Sequence, residues 1–283
     1  PHTHCSVRRQ RQTCIRDRNA SLGEMINNLS SLGINVPDGF ATTSYAFQEF
    51  LIANELDKKI PELLKKLDVN SISNLRKTGS NIRNLILKAN IPSELLKSIE
   101  EAWTNISKNK NYSFAVRSSA TAEDLPTASF AGQQETYLNI VGLKALVDAM
   151  QKVYASLYTD RAIAYRVHKK FDHSEVSISV GFQRMVRSDK STSGVMFTLD
   201  TESGSEDIIF INASYGLGET IVQGSVNPDE FYVFKDGLKN NNFPIIRKNL
   251  GEKTEKMLFT NKSEAGKSVK TVKAVSYTHL TLP

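Results

Sequence analysis

The sequence predicts an α/β or α+β protein, with helices first and a largely antiparallel sheet later. Two changes along the chain carry that prediction. Between residues ~19 and 110, apolar residues recur at helical spacing, bounded by capping and stop residues. After Val176 the period switches to two, with Val176, Ile178 and Val180 alternating with Ser177 and Ser179. The chain has 283 residues, 40% of them hydrophobic and 23% charged. It can therefore bury a core as one large domain or two small ones, and bulk disorder is excluded. No run of 18 apolar residues exists, and no apolar stretch follows the basic N-terminus as a secretory signal would require. A soluble, cytoplasmic protein with no membrane partner is expected.

Taken in order, Ser21-x-x-Glu24 reads as a capping box opening a helix, with Leu22, Met25, Ile26, Leu29 and Leu32 as its stripe and Gly33 as its stop. Ile34 to Pro37 reads as a short extended piece. Thr42 to Leu56, Pro61 to Leu67, Ser71 to Ala89 and Pro92 to Ile106 read as further helices. Ser113 to Val116 is a short strand that delivers Arg117 to its end, and Thr136 to Ile140 is a second strand. Leu143, Leu146, Val147, Met150, Val153, Tyr154 and Leu157 then form one apolar helical stripe. Asp160 to His168 continues as a helix. Gly194 to Leu199, Ile208 to Ala213 and Glu230 to Phe234 complete the expected strands. Lys262 to Lys273 reads as a solvated basic face or loop.

The two ends do not read like the body. Residues 1–18 hold five arginines, one aspartate and both cysteines, Cys5 and Cys14. Most of the net charge of +6 therefore belongs to this arm, and the body gives no electrostatic reason to propose nucleic acid. A disulfide scaffold and a cysteine-based zinc site in the body are excluded. Residues 1–18 and 276–283 resemble translated library adapter. They are expected to be foreign to the domain at 19–275, with no ordered tertiary contacts for residues 1–15.

The stretch Phe114 to Ile140 is the most informative. Arg117 is followed by Ser118, Ser119, Ala120, Thr121 and Ala122, and a second flexible run from Thr127 to Gly132 precedes the next strand. Small residues allow close backbone approach, and exposed N–H groups with hydroxyls can cradle phosphate oxygens. An adjacent Arg offers a bidentate fork for the same oxygens. The same run would also serve as an ordinary surface loop, and it is neither a Walker loop nor a dinucleotide fingerprint.

This stretch resembles a known family when it is taken together with NASLGEM (19–25), VPDGFATT (36–43), QRMVRSD (183–189), SGVMFTLDTESG (193–204), YGLGE (215–219) and VQGSVNPDEFYVFK (222–235). It is similar to the N-terminal nucleotide-binding region of the phosphoenolpyruvate synthase and pyruvate phosphate dikinase family, over about residues 19–275. The resemblance implies an α+β, ATP-grasp-type domain, helical at its N-terminus and followed by mixed or antiparallel sheet lobes. It implies ATP and Mg2+ as cofactors. It also implies phosphoryl transfer from ATP to a histidine on a mobile central domain, with pyruvate, bound by a C-terminal barrel, as the final acceptor. A homo-oligomeric full-length enzyme is compatible with it. Arg117 matches the catalytic arginine on the ATP phosphates. Ala131, Gly132 and Gln133 match the loop that covers the phosphates, with Thr136 just beyond. Gln183, Met185 and Val186 match the strand whose backbone holds the adenine edge; by periodicity alone the same residues read as a core strand.

Two departures matter. Arg18 stands where the family has a phosphate-contacting lysine, and a guanidinium fork does not replace a point charge equally. The family's acidic metal ligands are expected beyond the C-terminus of this chain. His168 and His173 read as surface residues. Asp200 and Glu202 read as turn carboxylates in preference to a metal pair, and Gly216 to Glu219 as a turn opening a helix. Two rivals follow: a rifamycin phosphotransferase with the same ATP-binding domain, and a nucleotide-binding module without catalysis. The Val226 to Phe231 segment favours the synthase.

Overall fold

A computed structural model describes residues 5–6, 12–108, 110–120, 124–125, 128–129, 136–169, 171, 176–240, 242–260 and 269–274. In chain order the elements are β1 (Cys5–Ser6), α1 (Gln12–Leu29), β2 (Gly39–Thr42), α2 (Ser44–Ala53), α3 (Leu56–Lys65), α4 (Ile72–Lys88) and α5 (Ser93–Ser107). They continue with β3 (Ser113–Ala120), β4 (Asp124–Leu125), β5 (Ala128–Ser129), β6 (Thr136–Val141), α6 (Leu143–Ser156), α7 (Asp160–His168) and β7 (Ile178–Arg184). The last are β8 (Thr192–Phe197), β9 (Ile208–Tyr215), α8 (Glu219–Val222), β10 (Asp229–Phe234), α9 (Lys235–Lys239), β11 (Ile245–Asn249), β12 (Glu255–Phe259) and β13 (Val269–Lys273). Helices dominate the first half and antiparallel ladders the second, so the chain is α+β. It divides into two units, with the break between Met185 and Val186. None of the helices is long and apolar enough to cross a membrane, among the described residues.

The first unit is built on a five-stranded sheet in the order β1-β2-β7-β3-β6, with every pair antiparallel. Its core face carries Phe40, Phe114, Val116, Ile140, Ile178, Val180 and Phe182, all buried. Phe40 stacks on Phe182 with centroids 4.5 Å apart and meets Phe114 edge-on at 6.5 Å. The predicted stripe of α6 seals this layer: Leu146, Met150, Val153 and Tyr154 are buried, while Lys144 and Asp148 face solvent. Tyr154 also packs on Phe47 and Phe50 of α2, at 4.8 and 5.3 Å. Caps set the helix starts. Thr43, Ser71 and Thr159 each accept a backbone N–H three residues on, at the heads of α2, α4 and α7. Arg83 of α4 ties down the head of α7, donating to Asp160 Oδ1 at 2.8 Å and to the Tyr158 carbonyl at 2.7 Å. Buried Arg166 stacks over the Tyr158 ring at 5.4 Å; burial lowers its pKa to about 10, so it stays charged at neutral pH.

Several expectations are corrected. The Ser21–Glu24 capping box is not used: α1 begins at Gln12 and carries Ser21 in its interior, because an intrahelical partner already takes each backbone donor there. Cys5–Ser6 pairs with Ala41–Thr42 as an edge strand, so residues 1–15 do make an ordered contact. The helix expected from Pro61 starts at Leu56 and holds Pro61 inside it. β3 runs on to Ala120, which places Arg117 in mid-strand, with the turn beginning later. Part of the basic run at 262–273 is a strand, β13, paired with β12.

The second unit is a four-stranded antiparallel sheet in the order β11-β10-β9-β8, with the β12–β13 ladder beside it. One face carries an aromatic row from Phe197 through Phe210 to Tyr232, with Arg247 over the last ring at 5.1 Å. The structural centre is an ion pair with no exposed surface, Lys253 to Asp229. Asp229 also accepts the Gly251 N–H at 2.8 Å, and Lys253 donates to the Gly251 carbonyl at 3.0 Å. Gly251 is required here, since a Cβ would lie 2.1 Å from the Pro228 carbonyl oxygen. Removing one partner leaves a buried charge uncompensated. Lys253→Ala is therefore expected to cost about 3–5 kcal/mol in denaturant unfolding followed by far-UV circular dichroism. A loss within 1 kcal/mol, roughly that of a surface pair, would show that the pair is not holding the second unit.

Candidate functional site

Strand register assembles the candidate site. Directly opposed residues of antiparallel strands share a face, and residues two apart along a strand share it as well. Arg117 opposes Thr136 on β6 and Gly181 on β7. Gln183 opposes Ala115 on β3 and Gly39 on β2. Arg117, Thr136 and Gln183 therefore lie on one face of three adjacent strands, opposite the apolar core. The Arg117 guanidinium donates to the Gln183 side-chain carbonyl, and the Gln183 amide donates to the Pro37 carbonyl at 3.3 Å. Arg117 is thus held at a defined height over the sheet by a neutral neighbour.

The rest of this face is paved with small residues: Gly39, Ala41, Ala115, Ser119, Ser179 and Gly181. Two of them are in close contact where a Cβ would go, Gly39 with backbone and Gly181 with the Asn19 side chain. A Cβ on Gly39 would lie 2.5 Å from the Phe182 carbonyl oxygen, and one on Gly181 would lie 2.4 Å from Asn19 Oδ1. Helix α1 rests on the paving through Asn19 and Ala20, both buried, and Ala20 packs on Ala41.

The other expected residues are distributed differently. Arg18 precedes Asn19 in α1, but its side chain lies outside the described residues, as do Ala131, Gly132 and Gln133. Met185 is anchored beyond the end of β7. Its N–H donates to the Ser113 carbonyl at 2.8 Å, and its sulfur accepts the Asn139 N–H at 3.0 Å. Ser113 is four residues from Arg117, which is about 13 Å along a strand. Val186 opens the second unit and is exposed.

In the second unit, Gly216 takes φ +79° and α8 begins at Glu219, as the Gly216–Glu219 turn predicts. Burial pushes the Glu219 carboxyl up, and Gln223 donates to it at 2.8 Å. Asp200 accepts the Ser203 hydroxyl and the Glu202 N–H, which hold its carboxyl below the usual range and close a turn. His168 is exposed at the end of α7, and His173 lies outside the described residues. Among the described residues no three carboxylate, histidine or cysteine side chains converge where they could hold a metal ion.

Sequence reasoning missed Asn19, Ser179 and Gly181. Nothing in their spacing marks them, because the contact between α1 and β7 joins positions about 160 residues apart.

The family model for the pyruvate phosphate dikinase AMP/ATP-binding domain matches residues 17–281. The phosphoenolpyruvate synthase of Neisseria meningitidis serogroup B is 57% identical over 258 residues, covering 90% of this chain and 32% of that protein. Those of Pseudomonas aeruginosa and Escherichia coli K12 are 54% and 52% identical, again over 32% of their own lengths. The chain thus spans about a third of the curated relatives it matches.

The Arg117–Gln183 contact has a measurable consequence. Gln183→Leu keeps the volume and removes the acceptor. It should lower stability by about 1–2 kcal/mol, the roughly 1.5–3 kcal/mol of a hydrogen bond to a charged group discounted for partial exposure. Urea unfolding should show a reduced midpoint at unchanged slope, and an unchanged midpoint would mean that the contact does not hold Arg117.

Proposed function

Because the chain belongs to the pyruvate phosphate dikinase AMP/ATP-binding domain family, we propose that it is the ATP-binding part of a phosphoenolpyruvate synthase, of the ATP-grasp type. The observation that carries the reading is the convergence of Arg117, Thr136 and Gln183 on one paved sheet face. The relatives are named phosphoenolpyruvate synthases, and the reaction that the family resemblance implies is ATP, pyruvate and water to phosphoenolpyruvate, AMP and phosphate.

In this reading Arg117 binds the phosphates of ATP and stabilises the charge that develops on the transferring phosphoryl group. A fixed guanidinium is suited to this because it is always charged and presents paired N–H donors to phosphate oxygens. The Thr136 hydroxyl, directly across from it, adds a hydrogen-bonding group at the same level. Ala131, Gly132 and Gln133 are assigned to the loop over the phosphates, Arg18 to a phosphate contact, and Met185 and Val186 to the backbone that holds the adenine edge. The first acceptor is a histidine on a mobile central domain of the whole protein, and pyruvate, bound by a C-terminal barrel, is phosphorylated from it. Mg2+ accompanies the nucleotide, and no described residue is assigned to it.

The same ATP-binding reading would serve a rifamycin phosphotransferase. The Val226 to Phe231 segment favours the synthase by resemblance, and its Asp229 stands in the buried pair with Lys253. The relatives, named as synthases at 52–57% identity, favour the synthase.

Two measurements test the proposal. Arg117→Ala should weaken ATP binding about 10- to 150-fold, the equivalent of roughly 1.5–3 kcal/mol for a charge-assisted contact, as read by titration calorimetry. Unchanged affinity in a folded variant would remove Arg117 from the site. Incubated with ATP, Mg2+ and pyruvate, this chain by itself should form no phosphoenolpyruvate above a protein-free control. Pyruvate-dependent AMP release would overturn the assignment of the acceptor steps to other domains.

A further inference from the structure

Asn19 is buried, with 8% of its surface exposed, on the helix that crosses the candidate site. Its Nδ2 donates to Ser179 Oγ at 2.9 Å. Ser179 Oγ spends its one proton on the Thr42 carbonyl at 2.6 Å, so it can only accept from Asn19. The Thr42 hydroxyl accepts the Val180 N–H at 3.2 Å. The polar chain from α1 through β7 to β2 therefore has a fixed direction. On its other side, Asn19 Oδ1 occupies the space that a Cβ on Gly181 would need, at 2.4 Å. Gly181 is the residue directly opposite Arg117.

These contacts set one distance. Gly181 lets the Asn19 amide descend onto the sheet, and Ser179 stops it there, one strand away from Arg117. A side chain at 181 would displace the Asn19 amide from its seat, and a residue at 19 without the amide would lose the bond to Ser179. Ala20 on Ala41 adds small-on-small packing beside the amide, which limits height but gives no lateral register. The lateral register is left to the directed hydrogen bonds.

We propose that Asn19 is a positioning residue for nucleotide phosphate, fixing the height and register of α1 over the Arg117 face. This rests on the reading that the face binds ATP. It acts through α1 and Gly181, so it should govern how the triphosphate is held and leave the nucleoside alone.

The test compares ATP with adenosine by calorimetry on the full chain, well below each variant's melting temperature. Asn19→Leu keeps the branched four-atom skeleton, with bulkier methyls, and loses the donor, while Ser179→Ala leaves Asn19 in place and removes its partner. Both should weaken ATP about tenfold with adenosine affinity unchanged, and Asn19→Gln should not restore it, because the longer side chain cannot seat over Gly181. A merely structural role would lower the melting temperature and leave the ratio of ATP to adenosine affinity at the wild-type value; that result overturns the proposal. Should Asn19→Leu fail to fold, Ser179→Ala decides by the same ratio. Arg117→Ala separates this proposal from its premise. If ATP binding falls in Arg117→Ala and the ratio is unchanged in the Asn19 and Ser179 variants, only the positioning role is lost. If wild type binds no ATP, both fail.

Discussion

In the pair formed by β3 and β7, each residue from Phe114 to Ala120 has a partner, running from Arg184 back to Ile178. The first unit is organised around this ladder, because it sorts the two strands into two chemistries. One face gives Phe114, Val116, Val180 and Phe182 to the core, and the other gives Ala115, Arg117, Gly181 and Gln183 to the candidate site. Register in such a pair is all or nothing, since a slip by one residue moves every side chain to the opposite face. Here a slip would put Arg117 among Phe40, Phe182 and Tyr154 and expose the phenylalanines. The core thus enforces the geometry of the site: the energy that holds Phe182 under Phe40 is also what keeps Arg117 turned the other way.

The second unit solves a different problem. Among the described residues its sheet ends at β8 and β11, and burial on its aromatic face is modest. A buried pair such as Asp229–Lys253 is not an efficient source of stability, because desolvation offsets most of the attraction. Its geometry indicates specificity. Asp229 takes both the Lys253 ammonium and the Gly251 N–H, while the Lys253 backbone donates to the Asn227 carbonyl at 3.1 Å. Lys253 itself sits at φ +38°, in the left-handed region. An apolar pair could fill this space but could not choose one turn conformation, whereas the hydrogen-bonded charges accept only one.

Much of the fold was legible in the sequence where local signals and tertiary contacts agree. The α6 stripe, the Asp160 start of α7 and the turn before Glu219 all lie where the pattern put them, because each is decided within a few residues. Legibility failed where distant parts of the chain decide. Ser177 and Ser179 promise a half-wet strand by their alternation with Ile178 and Val180, yet both serines are buried, because the Ser44 and Thr42 carbonyls accept their hydroxyls and Asn19 of α1 donates to Ser179 from above. The capping box at Ser21 was a valid local signal overruled by a helix that had already begun nine residues earlier. Arg117 was read as the last residue before a loop because small hydroxylated residues follow it. In the sheet those same residues are what allow close packing against β7, so Ser118 and Ser119 are buried in the strand.

The weight of the candidate site depends on how much coincidence it contains. Alternation alone would place Thr136 and Gln183 on the Arg117 face with a chance of about a quarter, since each has two faces to choose from. Sharing a face is therefore modest support. The adjacency is stronger. Thr136 is the direct cross-strand partner of Arg117, and Gln183, 66 positions away in sequence, is hydrogen-bonded to it. The glycine at 181 serves the packing of α1, because a Cβ there would meet the Asn19 amide oxygen at 2.4 Å. The small residues are taken up by the packing of α1, so the groups this face offers a polyanion are the Arg117 guanidinium with Thr136 and Gln183 beside it. A nucleotide-binding module without catalysis would need the same surface. The described geometry thus speaks to binding of ATP, and the case for transfer rests on the relatives and on the steps assigned to the rest of the protein.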